Sequence, residues 1–296
     1  MNWFATTLVK TMLSATRSPR AVAIKHLHRV GGVRSRLPNG RVLRLWSRAD
    51  DWVSNQVYWK GWAGYEPETV PLFFRLATEA RVALDVGAYV GFYTLIAAHA
   101  NPRGRIYSFE PLAMAFERLR SNVARNGLRN VECFQTAVGD TNAVLPFYHA
   151  IAGTIPCSSS LSQDFVRDVK GVTIVEVPVT TLDAFAASRH LDDIDLLKLD
   201  TESTEPSVLR GARVVLERSR PWIICEVLAG RGAEGALESV LRPFGYRFYH
   251  LTPEGPVMRE RVVGHPSYFN YLFAARPADE ARLLAGDIVP GVRESS

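Results

Sequence analysis

The stretch Val82-Ala83-Leu84-Asp85-Val86-Gly87-Ala88-Tyr89-Val90-Gly91-Phe92-Tyr93-Thr94-Leu95 decides the fold. Five residues of strand character run into two glycines four apart, Gly87 and Gly91, and then into an apolar helical period. Glycine allows a tight turn and a close backbone approach to a ligand at a helix N-terminus. The spacing is D-x-G-x-x-x-G and lacks the third glycine of G-x-G-x-x-G, the loop that wraps a pyrophosphate, so the expected ligand carries no diphosphate. Outward from this turn, strand-like runs at 105–109, 131–136, 194–199 and 222–227 alternate with helical periods at 92–100, 112–126, 206–217 and 233–242. Asn126-Gly127 closes the second of these helices, and Ser203 or Thr204 opens the third with Pro206 in its first turn. Two late strands follow, at 246–251 and 268–274. The alternation predicts an α/β, Rossmann-like domain: a mostly parallel seven-stranded sheet with an antiparallel last strand and helices on both faces. Pro38-Asn39-Gly40 before Val42, Leu43, Leu45 and Trp46 adds a hairpin ahead of it.

Acids gather at the strand ends. The second strand closes in Phe109-Glu110-Pro111, and a carboxylate there faces the crevice at the carboxyl end of the sheet, where it can accept hydrogen bonds from both hydroxyls of a ribose. A nucleoside without a diphosphate, carrying an amino-acid tail, describes S-adenosylmethionine. Further along, Lys198-Leu199-Asp200-Thr201-Glu202 ends a central strand. Lys198 and Asp200 are two apart and share one side, opposite Leu197 and Leu199. Buried charges persist only when paired or used, so the two read either as a structural ion pair or as a positioned base with its partner. Glu226 closes the neighbouring strand, and three carboxylates beside a lysine favour the functional reading. Glu205 reads as a helix-start acid favoured by the helix dipole. Hard cations take clustered carboxylates such as Asp200, Glu202 and Glu226, but no His-rich or Asp-rich loop accompanies them and no metal is expected. His149 and His250 are the histidines with a base-like setting, although a lone His in a strand of mixed polarity is more often structural.

Composition bounds the alternatives. The chain has 296 residues, 47% hydrophobic and 22% charged, an ordinary globular balance that excludes wholesale disorder. The net charge of +5 divides unevenly: no Asp or Glu precedes Asp50, so the first 49 residues carry +10 and the rest −5. A nucleic-acid reader would spread basic surface over its folded domain, and nucleic acid is not the expected partner. Cys133, Cys157 and Cys225 are too few and too far apart for a disulfide framework or a zinc site, which fits a reducing, cytoplasmic setting. No apolar run is long enough to span a membrane. Phe4, Leu8 and Met12 repeat at helical spacing in the basic head. That amphipathic helix reads either as a cover for the body or as a peripheral contact with a membrane surface or partner, and a transit peptide has the same composition. Five of the six tryptophans fall within the first 62 residues; they anchor the head or wall a carbohydrate-binding site. The expected organisation is a basic extension over 1–64, a main domain over 65–280 with an insert at 140–193, and a tail over 281–296.

The words Asp85-Val86-Gly87-Ala88 with Gly91-Phe92-Tyr93-Thr94, Phe109-Glu110-Pro111, Asn122-Val123 with Asn126-Gly127-Leu128, Ala137-Val138-Gly139-Asp140, and Lys198-Leu199-Asp200 through Glu202, Glu205 and Leu209-Arg210-Gly211-Ala212 resemble the FkbM family of S-adenosylmethionine-dependent methyltransferases. Tyr65-Glu66-Pro67 matches as well. The resemblance implies the class I methyltransferase fold and methyl transfer, often to a hydroxyl of a sugar, glycolipid or polyketide-like product. Two residues depart from the family's pattern: Tyr89 stands where Asn is common, and Ser203 where Gly is common. On this reading Asp85, Gly87, Tyr89 and Gly91, with Glu110, Pro111 and Ala137, bind S-adenosyl-L-methionine. Asp200 takes the acceptor's proton or orients the group that does, Lys198 tunes its charge, and Glu202 holds the acceptor. Glu226, Tyr65 and His149 complete the contacts to a small-molecule or glycan-like acceptor. The alternatives are a nucleotide-cofactor oxidoreductase on the same architecture and a non-catalytic membrane-surface module.

Overall fold

The computed structural model describes residues 27–151, 153–156 and 159–276. The expected amphipathic helix and the tail lie outside these residues.

The hairpin forms where its turn residues place it. β1 (Val30–Arg36) and β2 (Val42–Arg48) pair antiparallel, from Val30 opposite Arg48 to Arg36 opposite Val42. Strand alternation buries Val33, Leu43 and Leu45 and leaves Arg34, Arg36, Arg44 and Arg48 outside. α1 (Trp52–Lys60) follows, its N-terminus capped by Asp51, which accepts from the Ser54 amide at 2.6 Å.

After α2 (Val70–Glu79) the chain alternates strands and helices: β3 (Val82–Val86), α3 (Phe92–Ala100), β4 (Arg105–Phe109), α4 (Ala113–Arg125) and β5 (Val131–Phe134). After β6 (Ala137–Val138), the segment expected as an insert forms β7 (Ala143–Ala150), β8 (Ser159–Ser160), β9 (Val172–Thr180) and α5 (Leu182–Ser188). The chain then returns through β10 (Leu196–Leu199), α6 (Glu205–Arg210), α7 (Arg213–Arg218), β11 (Trp222–Glu226), α8 (Glu234–Leu241), β12 (Arg247–Thr252), β13 (Gly255–Arg259) and β14 (Asn270–Ala274). The main sheet has the order β13-β12-β14-β11-β10-β3-β4-β5. β11, β10, β3, β4 and β5 run parallel, and β14 inserts antiparallel between β11 and β12, as the late strands predict.

Three expectations need correction. The sheet has eight strands instead of seven, because the chain turns back after Thr252 and β13 pairs with β12 as an added edge. The single helix over 206–217 is two, α6 and α7, broken where Gly211 packs on Gly139 so closely that a Cβ would lie 2.1 Å from the Gly139 carbonyl oxygen. The strand over 131–136 stops at Phe134, and Ala137-Val138 leaves for a second sheet, ordered β6-β9-β7-β8.

Alternation along the strands builds two cores. Leu84, Val86, Leu197, Leu199 and Ile223 face α5 to α8, whereas Ala83, Leu196 and Ile224 face α2 to α4 and the hairpin. Lys198 takes its place on the second face, opposite Asp85 in the β10–β3 register. Two asparagines one turn apart on α4 fasten the hairpin to this body. The Asn126 side chain accepts from Arg44 N at 2.9 Å and donates to Arg44 O at 2.7 Å; Asn122 accepts from Trp46 N at 2.9 Å and donates to Val90 O at 2.8 Å. Asn122 has no solvent exposure. Asn122→Ala therefore strands a buried N–H and a buried C=O and is expected to cost about 2 to 4 kcal/mol, read from the midpoint of urea unfolding.

Candidate functional site

The turn after β3 is tied to the end of β4. Gly87 and Ala88 donate their amides to the Phe109 carbonyl at 3.0 and 2.9 Å. Gly87 has φ 83°, and a Cβ there would lie 1.8 Å from the Asp200 carbonyl oxygen, so only glycine fits. Glu110 is buried beside this turn, one carboxylate oxygen accepting from Tyr89 N at 2.9 Å and the other from Leu112 N at 2.8 Å. Burial raises its carboxyl to about 7 despite those bonds. Asp85, accepting from the Thr94 hydroxyl at 2.6 Å, is raised to about 6, again by burial.

A second group of acids surrounds one cation. Lys198 Nζ has no exposure and donates to Asp200 at 3.1 Å, to the Leu199 carbonyl at 3.3 Å and to the Asn270 side chain at 3.4 Å. Its ammonium also lies 5.0 Å from the Tyr93 ring centroid. Burial works against this charge, but Asp200, Glu66 and Glu226 outweigh it and hold Lys198 above its ordinary value. Burial, then the charges of Asp200 and Glu205, pushes Glu202 up to about 9. Glu226 is raised well above the carboxylate range by burial and then by Asp200 and Glu202, and its Oε2 is buried without a hydrogen-bond partner among the described residues.

The loop between β10 and α6 presents these groups under strain. Glu202 and Ser203 are both left-handed, with φ 56° and 77°. Glu205, buried at the start of α6, accepts from Thr201 N at 2.7 Å, and Ser160 of β8 donates to the Glu202 carbonyl at 2.7 Å. Thr204 caps α6 by position only, since its hydroxyl donates to Thr201 O at 3.1 Å.

A cavity of about 370 Å³ joins both groups. Asp85, Gly87, Tyr89, Glu110, Pro111 and Ala137 line it, and so do Tyr65, Asp200, Glu202 and Glu226. Lys198 stands behind Asp200, outside the lining. Gly91 lies outside as well: it caps α3 with φ 88°, and a Cβ there would meet a Leu119 methyl at 2.6 Å, so its glycine serves helix packing. His149 is on β7, its Nδ1 3.2 Å from the neighbouring Ala150 carbonyl, and does not line the cavity. His250 bonds the Tyr268 carbonyl at 2.9 Å and stacks on Tyr271, a structural role. Among the described residues, no group of three or more His, Cys, Asp or Glu side chains is arranged to hold a metal ion.

Glu66 and Asn270 were not expected as site residues. Glu66 lines the cavity and accepts from the Tyr93 hydroxyl at 2.5 Å and from Asn270 at 2.8 Å. An acid inside Tyr65-Glu66-Pro67 and an amide heading the apolar last strand were the available signals. Trp52 is 45% exposed at the cavity wall, whereas Trp59 is buried and donates to Leu27 O at 3.0 Å. The aromatic head thus divides between anchoring and lining.

A family model described as the Methyltransferase FkbM domain matches residues 85–248, more than half of the chain. A 31-O-demethyl-FK506 methyltransferase of Streptomyces tacrolimicus is 27% identical over 188 residues, covering 56% of this chain and 72% of that protein. The antimetabolite synthetase AmbE of Pseudomonas aeruginosa is 28% identical over 200 residues, covering 56% of this chain, and Methyltransferase 1 of Beauveria bassiana is 28% identical over 144 residues, covering 43%. The chain spans 9% of AmbE and 57% of the Beauveria protein. A methyltransferase FkbM structure from Methylobacillus flagellatus superimposes with a TM-score of 0.43 and 15% identity over 66% of this chain and 43% of that one.

Two measurements check the electrostatics and the strain. Asp85, Glu110 and Glu202 keep their protons to about 6, 7 and 9 in the folded chain. Their contribution to stability is full below the ordinary carboxylate range and is lost as pH rises through those values. The thermal midpoint is therefore expected to fall between about pH 5 and 9, and Glu110→Gln to flatten the portion of that fall ending near 7. Ser203→Gly relieves a left-handed residue and is expected to stabilise by about 1 kcal/mol in urea unfolding.

Proposed function

The chain belongs to the FkbM family of methyltransferases, and from that premise we propose that it transfers a methyl group from S-adenosylmethionine to a hydroxyl oxygen of a small or glycan-like acceptor. The observation that carries the reading is the single cavity bordered both by the glycine turn with Glu110 and by Asp200, Glu202 and Glu226. The residues suit this cofactor. Gly87 packs the turn against the Asp200 backbone at the cavity's edge, Glu110 offers a carboxylate at the end of β4 for two ribose hydroxyls, and Glu226 Oε2 has no hydrogen-bond partner among the described residues. Bound there, the cofactor supplies an electrophilic methyl on a sulfonium.

The chain's own groups supply orientation and a proton acceptor. A hydroxyl is a weak nucleophile, and Asp200, bonded to Lys198, is the group placed to take its proton. Glu202, which burial pushes up to about 9, donates a hydrogen bond to the acceptor, and Glu226, raised by burial as well, faces it from the end of β11. Tyr65 and Trp52 give the cavity wall apolar surface for a ring. Oxygen as the acceptor atom draws further support from the relative named for 31-O-demethyl-FK506.

Calorimetry with S-adenosylhomocysteine and with NAD tests the cofactor: heat with the first and none with the second is expected, and the reverse overturns the reading. Glu110→Ala is expected to weaken S-adenosylhomocysteine binding about tenfold to a hundredfold. In the wild type that affinity should rise between about pH 6 and 8, because the ionised Glu110 carboxylate accepts better. Asp200→Asn should leave binding within about twofold yet lower transfer of a labelled methyl group to hydroxylated acceptors by about a hundredfold or more.

A further inference from the structure

The outer face of the hairpin carries charge for which the fold has no use. Arg34 and Arg36 of β1 and Arg44 and Arg48 of β2 project from it, Arg41 lies in its turn, and all five are exposed. Arg34 stands directly opposite Arg44, a like-charge pairing that costs stability in an isolated sheet. The ion pairs of the described residues involve none of the five. At the centre of the face is the half-buried Trp46, opposite Gly32, whose missing side chain leaves the ring uncovered on that flank. The Arg125 guanidinium, from the end of α4, lies 4.4 Å from the Trp46 ring centroid and adds a sixth cation. Asn122 and Asn126 hold the opposite side of β2, so the face is a fixed plate.

We propose that this plate docks the protein on a membrane surface rich in anionic lipid. Six guanidiniums without carboxylate partners among the described residues match a negatively charged plane, and a tryptophan among them suits the headgroup layer. Residues after position 49 carry a net −5, so a polyanion that wraps a protein meets repulsion beyond the hairpin, while a plane touches the plate alone. No helix among the described residues is long and apolar enough to cross a membrane, and the proposed contact is a peripheral one through the plate. The inference stands independently of methyl transfer.

Sedimentation of the full chain with vesicles tests it. Binding is expected to vesicles of phosphatidylcholine mixed with phosphatidylglycerol, to fall as salt is raised, and to be absent with phosphatidylcholine alone. Arg34→Glu with Arg48→Glu should lower the bound fraction about tenfold or more with no fall in the thermal midpoint. Should that pair disturb folding, the milder Arg36→Gln with Arg44→Gln is expected to show a smaller loss in the same direction. Wild-type binding by either folded variant overturns the proposal, since the contact then lies elsewhere in the chain. Equal binding to neutral vesicles overturns it too, as does binding to single-stranded RNA without binding to anionic vesicles.

Discussion

An ammonium with no access to water constrains everything around it. Lys198 sits on a central strand of the sheet, and a charge withdrawn that far from solvent is tolerated only among acids and hydrogen-bond acceptors. Those partners come from separate parts of the chain: Asp200 just beyond β10, Glu226 from the end of β11, Asn270 from the start of β14, and Glu66 from the segment before α2. Acids outnumber the cation, and the excess is resolved by protonation, with Glu202 and Glu226 kept neutral while Asp200 faces the ammonium. Burial and the neighbouring acids raise Glu202 and Glu226 against the pull of Lys198, so the carboxyls of the cavity are set apart from one another, the division of labour that proton transfer to a proposed base requires.

What the sequence revealed and what it hid follow the range of the signals. The β3 turn was legible because strand, glycines and helix start lie within fourteen consecutive residues. Glu110 was legible because a strand end determines where its side chain points. Glu66 and Asn270 were not: their bond joins residues 204 apart in the chain, and periodicity reports only near neighbours. Gly91 shows the limit from the other side. Its type marks a place where a side chain is excluded, yet only packing reveals that Leu119 stands where that side chain would be. The break between α6 and α7 was hidden for the same reason, since its cause, Gly139, lies far upstream.

Two of the non-glycine residues with positive φ, Tyr89 and Ser203, are those that differ from the resembled family's pattern. Tyr89 and Ser203 stand where Asn and Gly are common, and both have positive φ, 51° and 77°, the region those two residues enter most easily. The insert compensates at each place. The Tyr89 hydroxyl donates to Ile155 O at 2.8 Å, and Ser160 braces the adjoining Glu202 carbonyl. The insert is therefore also a clamp on the two loops that border the cavity, and a change in it alters loop geometry together with the cavity wall.

The position of β14 has a temporal consequence. It is the last strand of the main sheet in sequence, yet it lies inside that sheet between β11 and β12, and it brings Asn270 to Glu66 and Lys198. During synthesis the N-terminal elements emerge first, and a nascent chain can assemble the glycine turn and Glu110 while the lysine still lacks one of its partners. The charge cluster is complete only after residue 270 has left the ribosome and β14 has paired between β11 and β12. Prematurely terminated chains therefore possess the ligand-facing turn without the finished charge cluster, and the fold itself separates partial products from whole ones.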